Sequence, residues 1–159
     1  VLYYHFGSKE GIYLALLASA LDEFTSRLEE MEARRGSVRE RIEQLLVGVF
    51  DLFERHAPIV RLVHAVFYGP SEGAPPFNFG GFQRVFHGAI RRLVEEGVRN
   101  GEMRNLAVED TALVLQALTA MCMDLELVDT PLRPGRDGLR RLLGILFTGI
   151  GSDSRFEGE

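Results

Sequence analysis

The sequence has little of what several protein classes require. It contains one cysteine, Cys122, so no disulfide can form within the chain, which fits a reducing compartment. No apolar run approaches the roughly 18 uninterrupted residues that a membrane span needs. The apolar stretch Leu14–Ala20 is too short for a secretory leader, and acidic residues follow it closely. We therefore expect a cytoplasmic protein without membrane contact.

An excess of positive charge is also missing. The 159 residues carry a formal net charge of −5, and the isoelectric point is about 5.4. A chain that binds nucleic acid over most of its surface is normally basic. Any contact with DNA must therefore be confined to a short local segment.

The motifs of the common helical enzymes are absent too. No Glu has a His three residues later, so the paired ligands of a di-iron carboxylate site are missing. The four histidines are scattered and Cys122 stands alone, which argues against zinc. There is no G-x-S-x-G, P-loop or Rossmann glycine pattern. His64 and Cys122 are the remaining pair for nucleophilic catalysis, but an isolated buried thiol behaves as a small hydrophobe. The sequence predicts neither an enzyme nor a cofactor.

What the sequence has throughout is helical periodicity. The composition is 46% hydrophobic, enough for one domain with a sizeable core, and no segment alternates like a half-buried strand. Ser37 with Glu40 forms a predicted capping box, and the Gly- and Pro-rich segment 69–81 predicts a long loop. The fold class is all-α, with helices predicted at about 9–34, 37–56, 59–68, 82–99, 108–128 and 138–150.

The last two predicted helices carry more apolar surface than one small domain covers. The helix at 108–128 is apolar nearly all round, and the helix at 138–150 has a continuous leucine face. Such surfaces favour an oligomer, and two helices from each subunit would form a four-helix bundle. We expect a homodimer; a thick monomeric core is the alternative.

The most informative segment is Val1–Leu16. Val1–Phe6 resembles the end of a short helix, after which Gly7 turns the chain and Ser8 caps the next helix. The Tyr-Tyr-His run before the turn and Lys9 after it suit phosphate binding. Their polar tips and the free N–H groups of the helix start would face outward, while the aromatic bodies pack inward.

This segment resembles the signature that closes the helix-turn-helix of the TetR family, Leu-Tyr-x-His-Phe-x-Ser-Lys-Glu. The match is dense and free of gaps. Arg55–Leu62 resembles that family's break between ligand-domain helices, and Glu96–Leu106 resembles its connection into the dimerisation helices. The resemblance implies a TetR-like C-terminal helical domain of about six helices, a size typical of one compact helical domain.

The resemblance also implies roles for individual residues. Leu2 and Phe6 would be core residues, and Tyr3 would either touch a base or only pack. The residues implied to contact the operator backbone are Tyr3, Tyr4, His5 and Lys9.

The implied domain organisation departs from the family at the start. In the family about 40 residues precede this motif and carry the first two helices and the base-reading start of the third. We therefore expect the chain to lack most of the DNA-binding domain and not to bind operator DNA specifically by itself. The implied parts are a helix-turn-helix remnant at 1–8, a linker helix at 9–34, a ligand-binding and dimerisation domain at 35–151, and a tail at 152–159.

The resulting functional hypothesis is a ligand-responsive transcriptional regulator, a repressor, that binds operator DNA as a homodimer. A small, mostly apolar effector would change its DNA affinity, as inducer or corepressor. The alternative is a stand-alone helical ligand-binding or scaffold protein that keeps the motif as a relic.

The effector site is predicted among the central helices. Ligand pockets are usually apolar with a few polar groups, and His64 and Gln116 are polar residues set among apolar ones. For each of the two, a solvated face or a satisfied core hydrogen bond is the alternative interpretation. The residues predicted to line the site are Phe50, His64, Phe67, Phe86, Gln116 and Met123.

Overall fold

The computed structural model describes residues 9–67 and 79–150, without the side chains of residues 9, 10, 63, 64, 66, 67 and 79. These ranges contain six α-helices and no strand, so the predicted all-α class is confirmed. The helices are α1 Lys9–Glu32, α2 Val38–Arg55, α3 Ala57–Phe67, α4 Phe79–Arg99, α5 Val108–Leu127 and α6 Gly135–Thr148.

Three helix starts differ from the prediction by two residues or more; the smallest difference is at α3, which begins at Ala57 rather than at 59. Helix α4 begins at Phe79, three residues early, so Gly80 and Gly81 are helical although glycine disfavours helix interiors. Helix α6 begins at Gly135, where a break was predicted. Pro134 cannot donate a hydrogen bond, but its carbonyl accepts the N–H of Gly138 at 3.0 Å and so opens the helix.

Helix α2 is the centre of the fold, because it contacts all five other described helices. Its buried side chains pack against apolar residues of α1, α4, α5 and α6 in one core. Burial of a large aliphatic or aromatic side chain stabilises a protein by about 1.5–3 kcal/mol relative to leaving it exposed. The core residues of α2 are Val38, Ile42, Leu45, Leu46, Val47, Val49 and Phe50.

The start of α2 is held by three polar contacts. The predicted capping box is present: the N–H of Glu40 donates to the hydroxyl of Ser37 at 3.2 Å, and the N–H of Ser37 donates to Glu40 at 2.9 Å. These hydrogen bonds lower the pKa of Glu40, the backbone bond most. The N–H of Val38 donates to Oε2 of Glu102, from the α4–α5 connection, at 2.6 Å. Three backbone N–H groups at the N-terminus of α2 therefore have hydrogen-bond acceptors.

The end of α1 is joined to α2 and α4 by charged groups. Arg92 of α4 binds Glu32 with two hydrogen bonds, of 2.5 and 2.7 Å. Arg41 of α2 donates to the backbone carbonyl of Glu32 at 3.1 Å and to Glu96 of α4 at 2.6 Å. Paired guanidinium–carboxylate bonds fix orientation as well as distance. The last turn of α1 therefore moves with α4.

Helix α4 packs closely where it leaves the core. A Cβ atom on Gly97 would lie 2.8 Å from Cγ of Met103 and 2.9 Å from Cγ1 of Val38. Val38 is buried and β-branched, so it has little freedom to move away. Gly144 of α6 offers a matched contrast, since a Cβ atom there would meet nothing within 4 Å.

We predict that Gly97→Ala lowers the free energy of unfolding by about 1–3 kcal/mol, because overpacking outweighs the gain in helix propensity. The control Gly144→Ala should be neutral or raise it by up to about 1 kcal/mol. Urea denaturation followed by circular dichroism measures both. A Gly97→Ala protein as stable as the wild type would show that Met103 and Val38 yield without cost.

Candidate functional site

Three of the predicted effector-site residues come together. Phe50 of α2 is 0% exposed and Phe86 of α4 is 7% exposed, and both belong to the same core cluster. Met123 of α5 is partly buried against that cluster. Phe24 of α1 adds an edge-on contact to Phe86, with ring centroids 6.2 Å apart. Phe50 and Phe86 are therefore enclosed by the core, whereas Met123 lies at its margin.

Gln116 lies in a polar network between α4 and α5. Its Oε1 is 2.9 Å from Nδ1 of His87, whose Nε2 is 3.2 Å from Oε2 of Glu109. Arg91 donates to the other oxygen of Glu109 at 2.5 Å. The hydrogen bond from Arg91, followed by that from His87, lowers the pKa of Glu109. Gln116 therefore has a hydrogen-bond partner within the protein, as the alternative interpretation of this residue allowed.

Sequence reasoning missed His87, the partner of Gln116, and Arg91, which binds Glu109 in the same network. The signal was present, because the two residues are four apart and so share one face of α4. The acidic residue that they meet stands in the first turn of α5, where a carboxylate is favoured by the helix dipole.

Tyr13 is a second residue whose polar role was missed. It is four positions from the buried Leu17 and so shares the apolar stripe of α1, but its hydroxyl is buried without a hydrogen-bond partner among the described residues. Burial raises the pKa of Tyr13. An unsatisfied buried hydroxyl costs about 1–3 kcal/mol, so this atom would gain from a polar group of a ligand.

For the other residues predicted to bind DNA or the effector, the structure does not describe the side chains. Tyr3, Tyr4 and His5 precede the described ranges. Lys9 is the first residue of α1, but its side chain is not described, and the same holds for His64 and Phe67 in α3. Their roles remain predictions.

A broad apolar surface is exposed on α5 and α6. Val114 and Met121 of α5 are seven positions apart and lie away from the buried Leu115 and Cys122, and Leu142 of α6 is three and four positions from Ile145 and Leu146. Helices α5 and α6 pack against each other, and their exposed apolar residues are together called the α5–α6 face. Its members are Leu113, Val114, Met121, Leu142, Ile145 and Leu146.

A metal site, a membrane span and a reactive thiol each set requirements on the described ranges. No group of three His, Cys, Asp or Glu residues there has the arrangement of a metal site, and no described helix combines the length and hydropathy of a membrane span. Cys122 is 1% exposed, and burial, with a smaller effect from Glu126, raises the pKa of its thiol. A thiol held protonated is a poor nucleophile.

Comparison with solved structures identifies the fold. The structure is similar to that of a TetR family transcriptional regulator, PfmR from Thermus thermophilus, with a TM-score of 0.74 and 19% sequence identity over 94% of this chain and 81% of that one. A candidate fatty acid metabolism regulator of Clostridium perfringens is similar at a TM-score of 0.67 and 17% identity, over 96% and 82% of the chains. No family model matches the sequence, and no curated protein gives a significant sequence match. The chain has a TetR-like fold, as its first residues predicted.

We predict that Cys122 is a structural thiol. Because it is buried and protonated, iodoacetamide should alkylate it on the order of a hundredfold more slowly in the folded protein than in denaturant. The control carries Ser26→Cys with Cys122→Ser, which moves the thiol to an exposed position of α1 and should react rapidly in both states. Equal rates for folded and unfolded wild type would instead indicate an accessible, activated cysteine.

Proposed function

We propose that this chain senses a ligand and forms the homodimer of a transcriptional regulator that binds operator DNA. One observation carries the proposal. A TetR-like fold spans 94% of the chain, and its first helix begins inside a segment that resembles the end of that family's helix-turn-helix. The fold and the motif are independent of each other, since the motif was identified from residue order alone.

The regulator would transmit its signal through α1. At about 1.5 Å per residue, its 24 residues span about 36 Å between the DNA motif and the core. The far end is bound to α4 by the Glu32–Arg92 pair, so a displacement of α4 would tilt α1. Helix-turn-helix dimers read half-sites about 34–36 Å apart, and a change of a few ångströms in this separation would weaken DNA binding.

The effector is proposed to be small and mostly apolar, with one hydrogen-bonding group. Phe50, Phe86 and Met123 supply apolar surface where α2, α4 and α5 meet, and His64 and Phe67 remain proposed contributors from α3. The unpaired hydroxyl of Tyr13 on α1 would meet the polar group. An effector that separates α4 from α1 would act as an inducer. Thermodynamic linkage then requires operator DNA to weaken effector binding by the same factor.

The proposed dimer would cover the α5–α6 face. A second copy related by a two-fold axis presents the same apolar residues, and two helices from each subunit form a four-helix bundle. Leu142, Ile145 and Leu146 are each more than a third exposed. A cluster of exposed large apolar side chains is uncommon on a monomer and is typical of an interaction surface.

We predict that the combined change Ile145→Glu and Leu146→Glu converts a homodimer into a monomer, because four carboxylates would have to be buried in the bundle. The matched control is Leu62→Glu on α3, which packs mainly against α2 and is distant from the α5–α6 face. Sedimentation velocity at micromolar concentration measures the mass. A wild-type protein that sediments as a monomer would refute the dimer.

We predict that this chain, when joined behind a complete helix-turn-helix, selects a two-fold symmetric sequence from random DNA, since dimer symmetry is mirrored in the operator. The Ile145→Glu, Leu146→Glu variant should lose this selection while keeping its helix content, because a single helix-turn-helix makes half the contacts. Enrichment of no sequence by the wild type would favour the alternative, a helical binding protein that does not act on DNA.

A further inference from the structure

A charged groove separates α1 from α6, with α2 as its floor. Its volume is about 330 Å³, which is within the size range of ligand pockets. None of the predicted effector residues lines it. Positions 43, 47, 51 and 55 of α2 face the groove at intervals of four, whereas the opposite face of α2 is buried in the core.

Positive charge exceeds negative charge in this groove, by five arginines to three carboxylates. Each carboxylate is bound to one arginine: Glu30 to Arg27 at 3.0 Å, Asp51 to Arg136 at 3.3 Å, and Glu43 to Arg140 at 3.5 Å. The guanidinium groups of Arg34 and Arg55 have no ion pair with any residue in the described ranges. The lining therefore holds two unneutralised cations.

The two unpaired arginines lie at opposite ends of the groove. Helices α1 and α2 run antiparallel, because Arg41 of α2 contacts Glu32 and His56 contacts Glu23 at 3.3 Å. Arg34, just after α1, is therefore beside the start of α2, and Arg55 is in its last turn. Along α2 the groove spans twelve residues, from position 43 to position 55, or about 18 Å.

The floor of the groove contains two apolar side chains between its ends. Met31 and Val47 are buried lining residues, and the Met31 side chain fills the space beside Gly48, where a Cβ atom would lie 2.6 Å from its sulfur. Gln44 adds an uncharged amide. A molecule lying along the groove would meet a small apolar area of this floor, flanked by the ion pairs, and a guanidinium at each end.

We propose that this groove binds an elongated small molecule with an anionic group, carboxylate or phosphate, at each end, held by Arg34 and Arg55. Arginine suits both anions because its planar fork donates two parallel hydrogen bonds to either one. The ligand neutralises these two guanidinium groups, whereas the other three arginines of the lining already have carboxylate partners. This site is separate from the proposed effector core and does not depend on the proposed function.

The test follows the backbone amides of Gly48 and Gln44 by NMR, so that binding elsewhere in the protein is not counted. The probes are suberate, with two carboxylates, octanoate, with one, and tripolyphosphate. Suberate should bind about tenfold more tightly than octanoate, the loss expected for one charge-assisted hydrogen bond. Tighter binding of tripolyphosphate than of suberate would assign phosphate ends to the natural ligand.

Matched variants locate the anionic ends. Arg34→Gln and Arg55→Gln should each weaken suberate binding about tenfold, to the affinity of octanoate. Arg99→Gln removes an exposed arginine at the end of α4, outside the groove, and should change affinity less than about twofold. The proposal is overturned if neither suberate nor tripolyphosphate binds more tightly than octanoate, or if Arg99→Gln weakens binding as much as the groove variants do.

Discussion

The burial of α2 is the constraint on which the other helices depend. It contacts all five described neighbours, and its apolar side chains form the middle of the core. Because the buried side chains cover most of its circumference, α1, α4 and α6 have a fixed distance from one another. The same helix presents the polar residues Glu43, Gln44, Asp51 and Arg55 around the buried Val47, and these residues form the floor of the charged groove. One amphipathic pattern thus determines both the core and the groove.

The two ends of α1 are held differently, and this difference matters for signalling. Its last two turns are fixed by the buried Leu28 and Met31 and by the bidentate Glu32–Arg92 contact. Toward its start, Leu16 is exposed and Leu17 is buried, while the hydroxyl of Tyr13 is buried without a partner in the described chain. A small tilt at the fixed end of a long helix becomes a larger displacement at the end that has fewer contacts. In the proposed regulator this amplification would change the spacing of the DNA motifs.

The sequence predicted most of the fold because its helices carry strong local signals. The Ser37–Glu40 box places the start of α2 correctly, and helical periodicity identifies all six described helices. The start of α4 was missed because Gly80 and Gly81 are helical only through their tertiary context, which periodicity does not contain.

The candidate site was less predictable, since it depends on contacts between distant segments. Phe50 and Phe86 share a cluster, as expected, because large apolar residues on core faces meet one another. Gln116 pairs with His87, twenty-nine positions away, and only the packing of α4 on α5 determines that contact. The charged groove was not foreseen either, because its five arginines come from three separate helices and the α1–α2 connection. No spacing rule along the chain brings such residues together.

Helix α6 brings the proposed interactions together, because its three faces have different partners. Leu139 and Leu143 are buried in the core. Arg136 and Arg140 lie to one side of this buried stripe, in the groove, and Leu142 and Leu146 lie to the other, on the α5–α6 face. A groove ligand and a second subunit therefore occupy opposite sides of the helix and do not compete. Because a groove ligand would contact arginines near α1 and beside α6, it would stiffen the arrangement of the linker helix relative to the dimer. By linkage, any conformation of α1 that widens this groove would lower the affinity for the groove ligand. The bound ligand would then disfavour that conformation by the same free energy.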